Sequence, residues 1–343
     1  MPYEPTCHLL LPFAACSADA WLPTLQSLPP HSLGHLGQLL QGMHLVQADS
    51  RNAESLSPPH ERALARARGL ATLQTPDGLL PWAASEALAH PGAGHGKAWA
   101  WITPCHWAMG HLHATLTDPA LLDLQESESR ALLALMQPYF ETDGITLQYQ
   151  MPGRWLAEGE LFRGLPTASL DRVLARNVDA WLPAGPQAGP LRRLQNEMQM
   201  LLYTHSFNDA RAARGQLLVN SFWISGTGDL PSATVGEALA PSLSQRKREQ
   251  VSAPSGAQQV SVPRSLAEAV FREDWARYAA AWQALDAGEI AQLLARQRAG
   301  DTVRLSLCGE SSAQTFETRR ASLWRKVSNL FSPLRTLDLL KQL

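Results

Sequence analysis

The segment VNSFWISGTG, residues 219–228, joins an apolar run to a turn that contains two glycines. Its apolar residues occupy both alternating sets of positions, which is typical of a strand buried on both faces of a parallel sheet. In open α/β sheets, ligands bind beyond the carboxyl ends of such strands, where glycines let backbone amides approach a bound group. The segment therefore favours an α/β fold and makes Gly226–Gly228 a candidate ligand-binding turn.

A second interpretation of this turn is a plain strand exit. A lone Gly-x-Gly is a weak signal, because neither GxGxxG nor GxxxxGK[ST] accompanies it. Glycines are also common wherever a chain leaves a sheet. Both interpretations stay open.

Outward from this segment, strand and helix patterns alternate along the chain. Residues 7–16 and TVRLSLCGE (302–310) predict two more core strands, while DGITLQYQ (143–150) and GRWLAEGELFRG (153–164) predict a small antiparallel sheet. Helices are expected over 22–45, 57–69, 126–140, 169–178, 191–205 and 208–215 and after Ser265.

The predicted fold class is α/β, with a mostly parallel sheet flanked by helices. We expect residues 1–114 and 191–343 to form this core and 115–190 to form a smaller inserted α+β domain. Residues 229–264 are rich in Ser, Pro, Gln and Ala and predict a flexible connection.

Composition excludes several classes of partner. The net charge of -2 gives no reason to expect nucleic acid binding, and no segment reaches the roughly 18 apolar residues that cross a membrane. The N-terminus lacks the early basic residues of a signal peptide. Four cysteines without a CxxC pair suit reduced thiols, so we expect a cytoplasmic protein.

The segment CHWAMGHLH (105–113) is a candidate metal site, since two imidazoles in a His-x-His pair lie on one face of a strand and suit zinc. The candidate ligands are His106, His111 and His113. A third protein ligand would be needed, and the alternative is that these histidines are buried or cap the surface.

The segment THSFNDARAARG (204–215) concentrates polar groups at a helix start. His205, Asn208 and Arg211 could hold an anion together with free backbone amides. The alternative is an ordinary Asn208 helix cap beside surface arginines.

A further set of basic residues could clamp a phosphate or carboxylate. Arg154 stands beside Trp155, and Arg172 and Arg176 share a helix face. Pairing with Asp171 and other acids is the alternative. The chain has neither a GxSxG nor an HExxH motif.

Taken together, these motifs resemble a bacterial family, the RpfE-type regulatory proteins or cofactor-independent phosphoglycerate mutase-like proteins. The resemblance covers most of the chain and is densest from about Trp101 to Gly228. Its segments are LTDPALLDLQESESRALLALMQPYF (116–140), DGITLQYQMPGRWL (143–156), SLDRVLARNVDAWLP (169–183), 191–228 and VRLSLCGE (303–310).

The chain also looks, more distantly, like the archaeal-type mutases of the alkaline phosphatase superfamily. This resemblance implies a metal-bearing parallel sheet with an inserted α+β domain. The positions that match the family pattern are Asn208, Arg211, Asn220, Trp223, Gly226 and Gly228, while Ser225 replaces a more usual Trp.

Two departures from the family pattern decide the functional expectation. Active members carry an Asp-Gly turn after the opening strand and a late Asp-His pair, both of which hold metal. Here the opening strand continues as LPFAACSADAW (11–21), where Asp19 comes too late, and the late strand ends Cys308-Gly309-Glu310. Two-metal phosphoryl transfer needs those ligands, so we expect a pseudoenzyme that keeps the fold without the reaction.

The expected function is regulation through binding of a small anionic or phosphorylated metabolite, or of a protein partner, with no cofactor. The expected ligand-binding residues are Asn220, Ser221, Trp223, Gly226, Thr227, Gly228, His205, Asn208, Arg211 and Arg154. The alternative is an active mutase or phosphatase that holds Mn or Zn through a rearranged set of ligands. That set would be drawn from His106, His111, His113, Asp118 and Glu310.

Overall fold

The computed structural model describes residues 7–90, 96–110, 113–185, 187–230, 259–318 and 336–343. The chain divides into two compact units. Unit 1 comprises residues 1–54, 58–68 and 250–343, and unit 2 comprises residues 55–57 and 69–249.

Unit 1 is built on a five-stranded sheet. Its strand order is β2 (Met43–Ser50), β11 (Ser312–Thr318), β10 (Val303–Cys308), β1 (Cys7–Leu11) and β9 (Gln259–Ser261). β1 is parallel to β9 and β10, whereas β11 is antiparallel to β10 and β2. The sheet is therefore mixed, and the prediction of a mostly parallel sheet is wrong. The cause is the tight reversal after β10, where Gly309 N donates to Ser312 O at 2.8 Å and forces antiparallel pairing.

Helices cover both faces of this sheet. They are α1 (Trp21–Gln26), α2 (Gly34–Gln41), α3 (Pro59–Ala67), α9 (Ser265–Phe271), α10 (Trp275–Leu285), α11 (Ala291–Ala299) and α12 (Thr336–Leu340), with a π-helical turn at Asp286–Ile290. Because side chains alternate along a strand, Leu9 and Leu305 pack into the larger core. Leu10 and Cys308 pack on the opposite face against Ala63 of α3. The N-terminal strand is thus buried on both faces, as its apolar run predicts.

Unit 2 contains a four-stranded sheet and a short hairpin. The sheet order is β6 (Thr146–Met151), β7 (Arg154–Glu158), β3 (Ala98–Cys105) and β8 (Ser221–Asp229). All of its neighbouring strands are antiparallel. The hairpin consists of β4 (Trp107–Met109) and β5 (Ala114–Leu116).

The prediction that residues 219–228 form a parallel strand is wrong in direction. β8 lies antiparallel to β3, with Trp223 opposite Thr103. Its apolar residues are buried on both faces because Phe222 and Ile224 contact one core cluster and the other face is covered as well. Burial on both faces follows from covering helices, and it does not depend on strand direction.

The helices of unit 2 are α4 (Trp82–Ala87), α5 (Glu126–Thr142), α6 (Leu170–Val173), α7 (Ala188–Tyr203) and α8 (Ser206–Ala213). Short 3-10 turns lie at Pro119–Leu122, Glu160–Phe162 and Asp179–Trp181. α5 and α7 contribute Leu132 and Leu194 to the main core, whereas α4 contributes Ala83 to a smaller cluster with Trp99.

The extent of unit 2 differs from the expected insertion at 115–190. β3 precedes that range and β8 follows it, yet both are hydrogen-bonded in the sheet with β6 and β7. Of the expected flexible connection, residues 231–258 lie outside the described residues. Gln259–Ser261 form β9, which pairs with β1.

The helix expected over 22–45 is interrupted. α1 and α2 are separate, and Pro29 and Pro30 lie between them, where proline removes helical hydrogen bonds. β2 begins at Met43 inside the expected helix. No helix in the described ranges combines the length and apolar character needed to cross a bilayer.

Candidate functional site

The turn at the end of β8 is closely packed within unit 2. Gly226 has φ +64°, and a Cβ there would lie 2.9 Å from Trp101 Cε3 and 3.1 Å from Trp82 Cβ. A Cβ on Gly228 would lie 3.2 Å from Pro81 Cβ. The two glycines therefore allow β8 to approach these side chains, and the space next to them is filled by protein.

The Thr227 hydroxyl and the Trp223 indole of β8 are hydrogen-bonded to the segment 165–168. Thr227 Oγ1 donates to Leu165 O at 2.6 Å and lies 2.9 Å from Thr167 Oγ1. Trp223 Nε1 donates to Ala168 O at 3.0 Å. Ser221 is buried, and its hydroxyl has no hydrogen-bond partner among the described residues.

Asn220 connects the start of β8 to the β4–β5 hairpin. Its Oδ1 accepts from Trp107 N at 2.7 Å, and its Nδ2 donates to Trp107 O at 2.9 Å. The neighbouring His106 Nδ1 lies 2.9 Å from Leu218 O. Both side chains thus hold the hairpin in place.

His205, and not Asn208, caps α8. His205 Nδ1 accepts from Phe207 N at 3.0 Å. Asn208 lies inside the helix, where its Nδ2 donates to Leu202 O and Val219 O at 2.8 and 2.7 Å and its Oδ1 accepts from Val219 N at 3.1 Å. The carboxamide ties three chain segments together, so the predicted helix cap is wrong.

Arg211 is fully buried, and each of its three guanidinium nitrogens donates a hydrogen bond. It donates to Leu217 O at 2.9 Å, to Glu128 Oε2 at 2.9 Å and to Leu122 O. Arg214, which is half exposed, donates to the other oxygen of Glu128. Arg211 therefore links α8 to the start of α5 from the interior of unit 2.

Arg154 forms a half-buried pair on the other face of the sheet. Its Nη2 donates to Glu86 Oε1 at 3.1 Å, and its guanidinium carbon lies 4.6 Å from the centre of the Trp101 ring. Trp101 Nε1 donates to the second oxygen of Glu86 at 2.8 Å. Such a stacked and paired arginine is already partly neutralised.

The carboxyl ends of β1 and β10 lie side by side in unit 1, since the two strands are parallel with Leu11 opposite Leu307. The loops that follow are joined by one carboxylate. Glu310 Oε2 accepts from Ser17 N at 3.0 Å and from Ser17 Oγ at 2.5 Å. Asp19, the acid in the loop after β1, is exposed.

Buried groups next to these loops are held in their neutral forms. Tyr278 OH donates to Phe13 O at 2.9 Å and accepts from Trp21 Nε1 at 3.1 Å. Burial raises the pKa of Tyr278 and of Cys308, and it raises the pKa of Cys16 to about 11. Thiols with raised pKa values are poor nucleophiles and poor metal ligands at neutral pH.

Among the described residues, His106, His113 and Asp118 of unit 2 do not belong to any cluster that could hold a metal ion. His111 lies outside the described residues, His106 contacts Leu218, and His113 is exposed. Asp118 Oδ1 accepts from Ala120 N at 3.0 Å and caps a 3-10 turn. Glu310 belongs to unit 1.

The sequence interpretation missed a row of polar residues on α7. Arg192, Gln195, Asn196 and Gln199 have spacings of i, i+3, i+4 and i+7, which place them on one helix face. They line a cavity of about 460 Å³ together with His113 of the hairpin. The periodic signal was present in the sequence, but only the fold shows that this face borders a cavity.

Comparisons with known proteins found no matching family model and no matching curated protein. Among solved structures, the chain is similar to the PH0037 protein of Pyrococcus horikoshii, with 9% identity and a TM-score of 0.43 over 92% of this chain and 88% of that one. It is also similar to the cofactor-independent phosphoglycerate mutase of Thermoplasma acidophilum, with 11% identity and a TM-score of 0.33 over 99% and 100% of the two chains. Both TM-scores lie below 0.5, which is too low to establish a common fold.

Proposed function

We propose that this chain is a regulatory protein, related to the cofactor-independent phosphoglycerate mutases, that binds a small metabolite and does not catalyse the mutase reaction. The observation that carries the proposal is the bond between Ser17 and Glu310 at the adjoining ends of β1 and β10.

Two-metal phosphoryl transfer requires carboxylates and imidazoles that can hold two cations beside the reacting phosphate. The loop after β1 has neither acid nor histidine over residues 12–18. The carboxylate that follows β10 accepts two hydrogen bonds from Ser17. These features support the loss of mutase chemistry at the strand ends.

The polar residues that match the mutase pattern support a framework role. The side chains of Asn208, Asn220 and Arg211 are all hydrogen-bonded to other residues of unit 2. A buried side chain that is fully bonded stabilises its surroundings and has little capacity left for a ligand. We therefore propose that the metabolite binds to polar side chains other than these three.

The test is a mutase assay on the purified full chain, which measures interconversion of 3- and 2-phosphoglycerate with Mn²⁺ or Zn²⁺ added. We expect no turnover above a protein-free blank. Turnover that depends on added metal and is lost in Glu310→Gln, but kept in the exposed control Glu289→Gln, would disprove the proposal.

A further inference from the structure

A cavity of about 460 Å³ lies in unit 2 between the β4–β5 hairpin and α7, and we call it the hairpin cavity. Its volume falls in the range that suits small metabolites. Its apolar lining includes Trp107, Met109, Val178 and Leu182. The lining also includes the polar row of α7, namely Arg192, Gln195, Asn196 and Gln199.

Gln195 is the unusual residue of this row. Its side chain lines the cavity although the residue is only 4% exposed. No hydrogen bond links its carboxamide to another residue in the part of the chain that the structure describes, and its polar atoms remain accessible from the cavity. Water or a ligand in the cavity can therefore bond to this carboxamide.

Two opposite charges border the same cavity. Arg192 donates to Pro183 O at 3.2 Å and has no carboxylate partner within the described ranges. Asp179 also lines the cavity, and within those ranges its carboxylate has no ion pair. Both side chains are exposed at the mouth of the cavity. Since the two charges cancel, the lining does not favour a phosphate dianion.

We propose that the hairpin cavity binds a small zwitterion of the free amino acid class. Arg192 receives the ligand carboxylate, Asp179 receives the ammonium group, and the Gln195 carboxamide bonds to the polar atoms between them. Trp107 and Met109 contact the apolar part of the ligand. This inference rests on the binding role proposed above, and it names a zwitterion where the sequence alone suggests an anion.

Asn220 takes part as a positioning residue. Its two bonds to the Trp107 backbone fix the apolar lining relative to β8. A residue that the sequence suggests as a direct ligand thus acts on the cavity through Trp107.

The experiment screens the full chain against the free amino acids by thermal shift and measures the affinity of each hit by calorimetry. We expect at least one amino acid to stabilise the chain in a saturable way. Arg192→Gln and Asp179→Asn should each weaken its binding at least tenfold, and the isosteric Gln195→Met should weaken it as well. Analogues that lack the ammonium or the carboxylate group should lose binding.

The matched control is Arg193→Gln, because Arg193 is the next residue of α7 and lines a different depression with Tyr139 and Met200. Its affinity should equal that of the wild type, and urea unfolding of every variant checks that it is folded. Binding that survives in both Arg192→Gln and Asp179→Asn would overturn the location.

Stabilisation by inorganic phosphate or 3-phosphoglycerate alone would overturn the ligand class, and no stabilisation by any amino acid would overturn the inference. These outcomes are independent of the mutase assay, so the failure of one proposal is distinguishable from the failure of the other.

Discussion

The Asn220 carboxamide bonds to both backbone groups of Trp107, with Oδ1 at 2.7 Å from Trp107 N and Nδ2 at 2.9 Å from Trp107 O. This paired contact copies the hydrogen bonding of a neighbouring strand, although β8 begins only at Ser221. The contact fixes the β4–β5 hairpin, which lines the hairpin cavity, to the start of β8.

Replacement of Asn220 by alanine should lower the free energy of unfolding by about 1–3 kcal/mol, because two backbone groups lose their partners. Urea denaturation measures the loss. Asn52→Ala is the control, since Asn52 is exposed, and it should unfold like the wild type. Equal stability of both variants would show that the Trp107 contact contributes nothing.

Arg211 and Arg214 offer a matched pair, because both bind Glu128 and only one is buried. Arg211→Met should cost about 3–5 kcal/mol, since Glu128 and two carbonyl groups lose a buried donor. Arg214→Met should cost less than about 1 kcal/mol, as expected for an exposed pair. Similar losses in the two variants would contradict the framework role of Arg211.

Alanine substitutions at Gly226 and Gly164 distinguish the cost of backbone strain from the cost of steric overlap. Their φ angles are +64° and +63°, but only a Cβ on Gly226 would meet neighbouring side chains within 4 Å. Gly164→Ala should cost about 1–2 kcal/mol from the left-handed backbone alone. Gly226→Ala should cost clearly more, because Trp101 and Trp82 must shift. Chemical denaturation of the two variants tests this difference.

His8 should make unit 1 less stable as the pH falls. Burial, followed by the charge of Arg304, lowers the pKa of His8 to about 4, and its Nε2 lies 2.8 Å from Ser306 Oγ. The unfolded chain has the ordinary histidine pKa of about 6.5, so unfolding takes up a proton between pH 6.5 and 4. The contribution is absent above pH 7 and reaches a loss of about 3 kcal/mol near pH 4.

Urea unfolding at several pH values between 7.5 and 4.5 measures this effect, and His8→Gln should flatten the dependence. An NMR titration in which His8 protonates near its ordinary pKa would contradict the buried, neutral state.

The sequence predicted those helices and strands whose signal lies entirely within their own residues. Helix α5 begins at Glu126, as its acidic first turn indicates, and β1 and β10 lie within the predicted apolar runs. β2 was missed because its exposed residues, such as Leu45, lack a regular alternation. The cap of α8 was placed at Asn208 because a sequence does not show that His205 is oriented to accept the bond.

The candidate site was harder to predict than the elements. Asn208, Asn220 and Arg211 are residue types that often bind polar ligands. Whether they contact a ligand or other residues of the protein depends on contacts between segments far apart in the chain. Arg211 illustrates this point, because its partner Glu128 lies 83 positions away.

By itself, the sequence determined which segments are apolar enough to form buried strands and that residues 12–18 after β1 contain no acid, since both are properties of neighbouring residues. The tertiary structure alone decided strand direction, the enclosure of Gly226 by Trp101, and the joining of Ser17 to Glu310 across 293 positions. The physical reason is that burial depends on every element that covers a surface, whereas a local pattern records only that a surface must be covered.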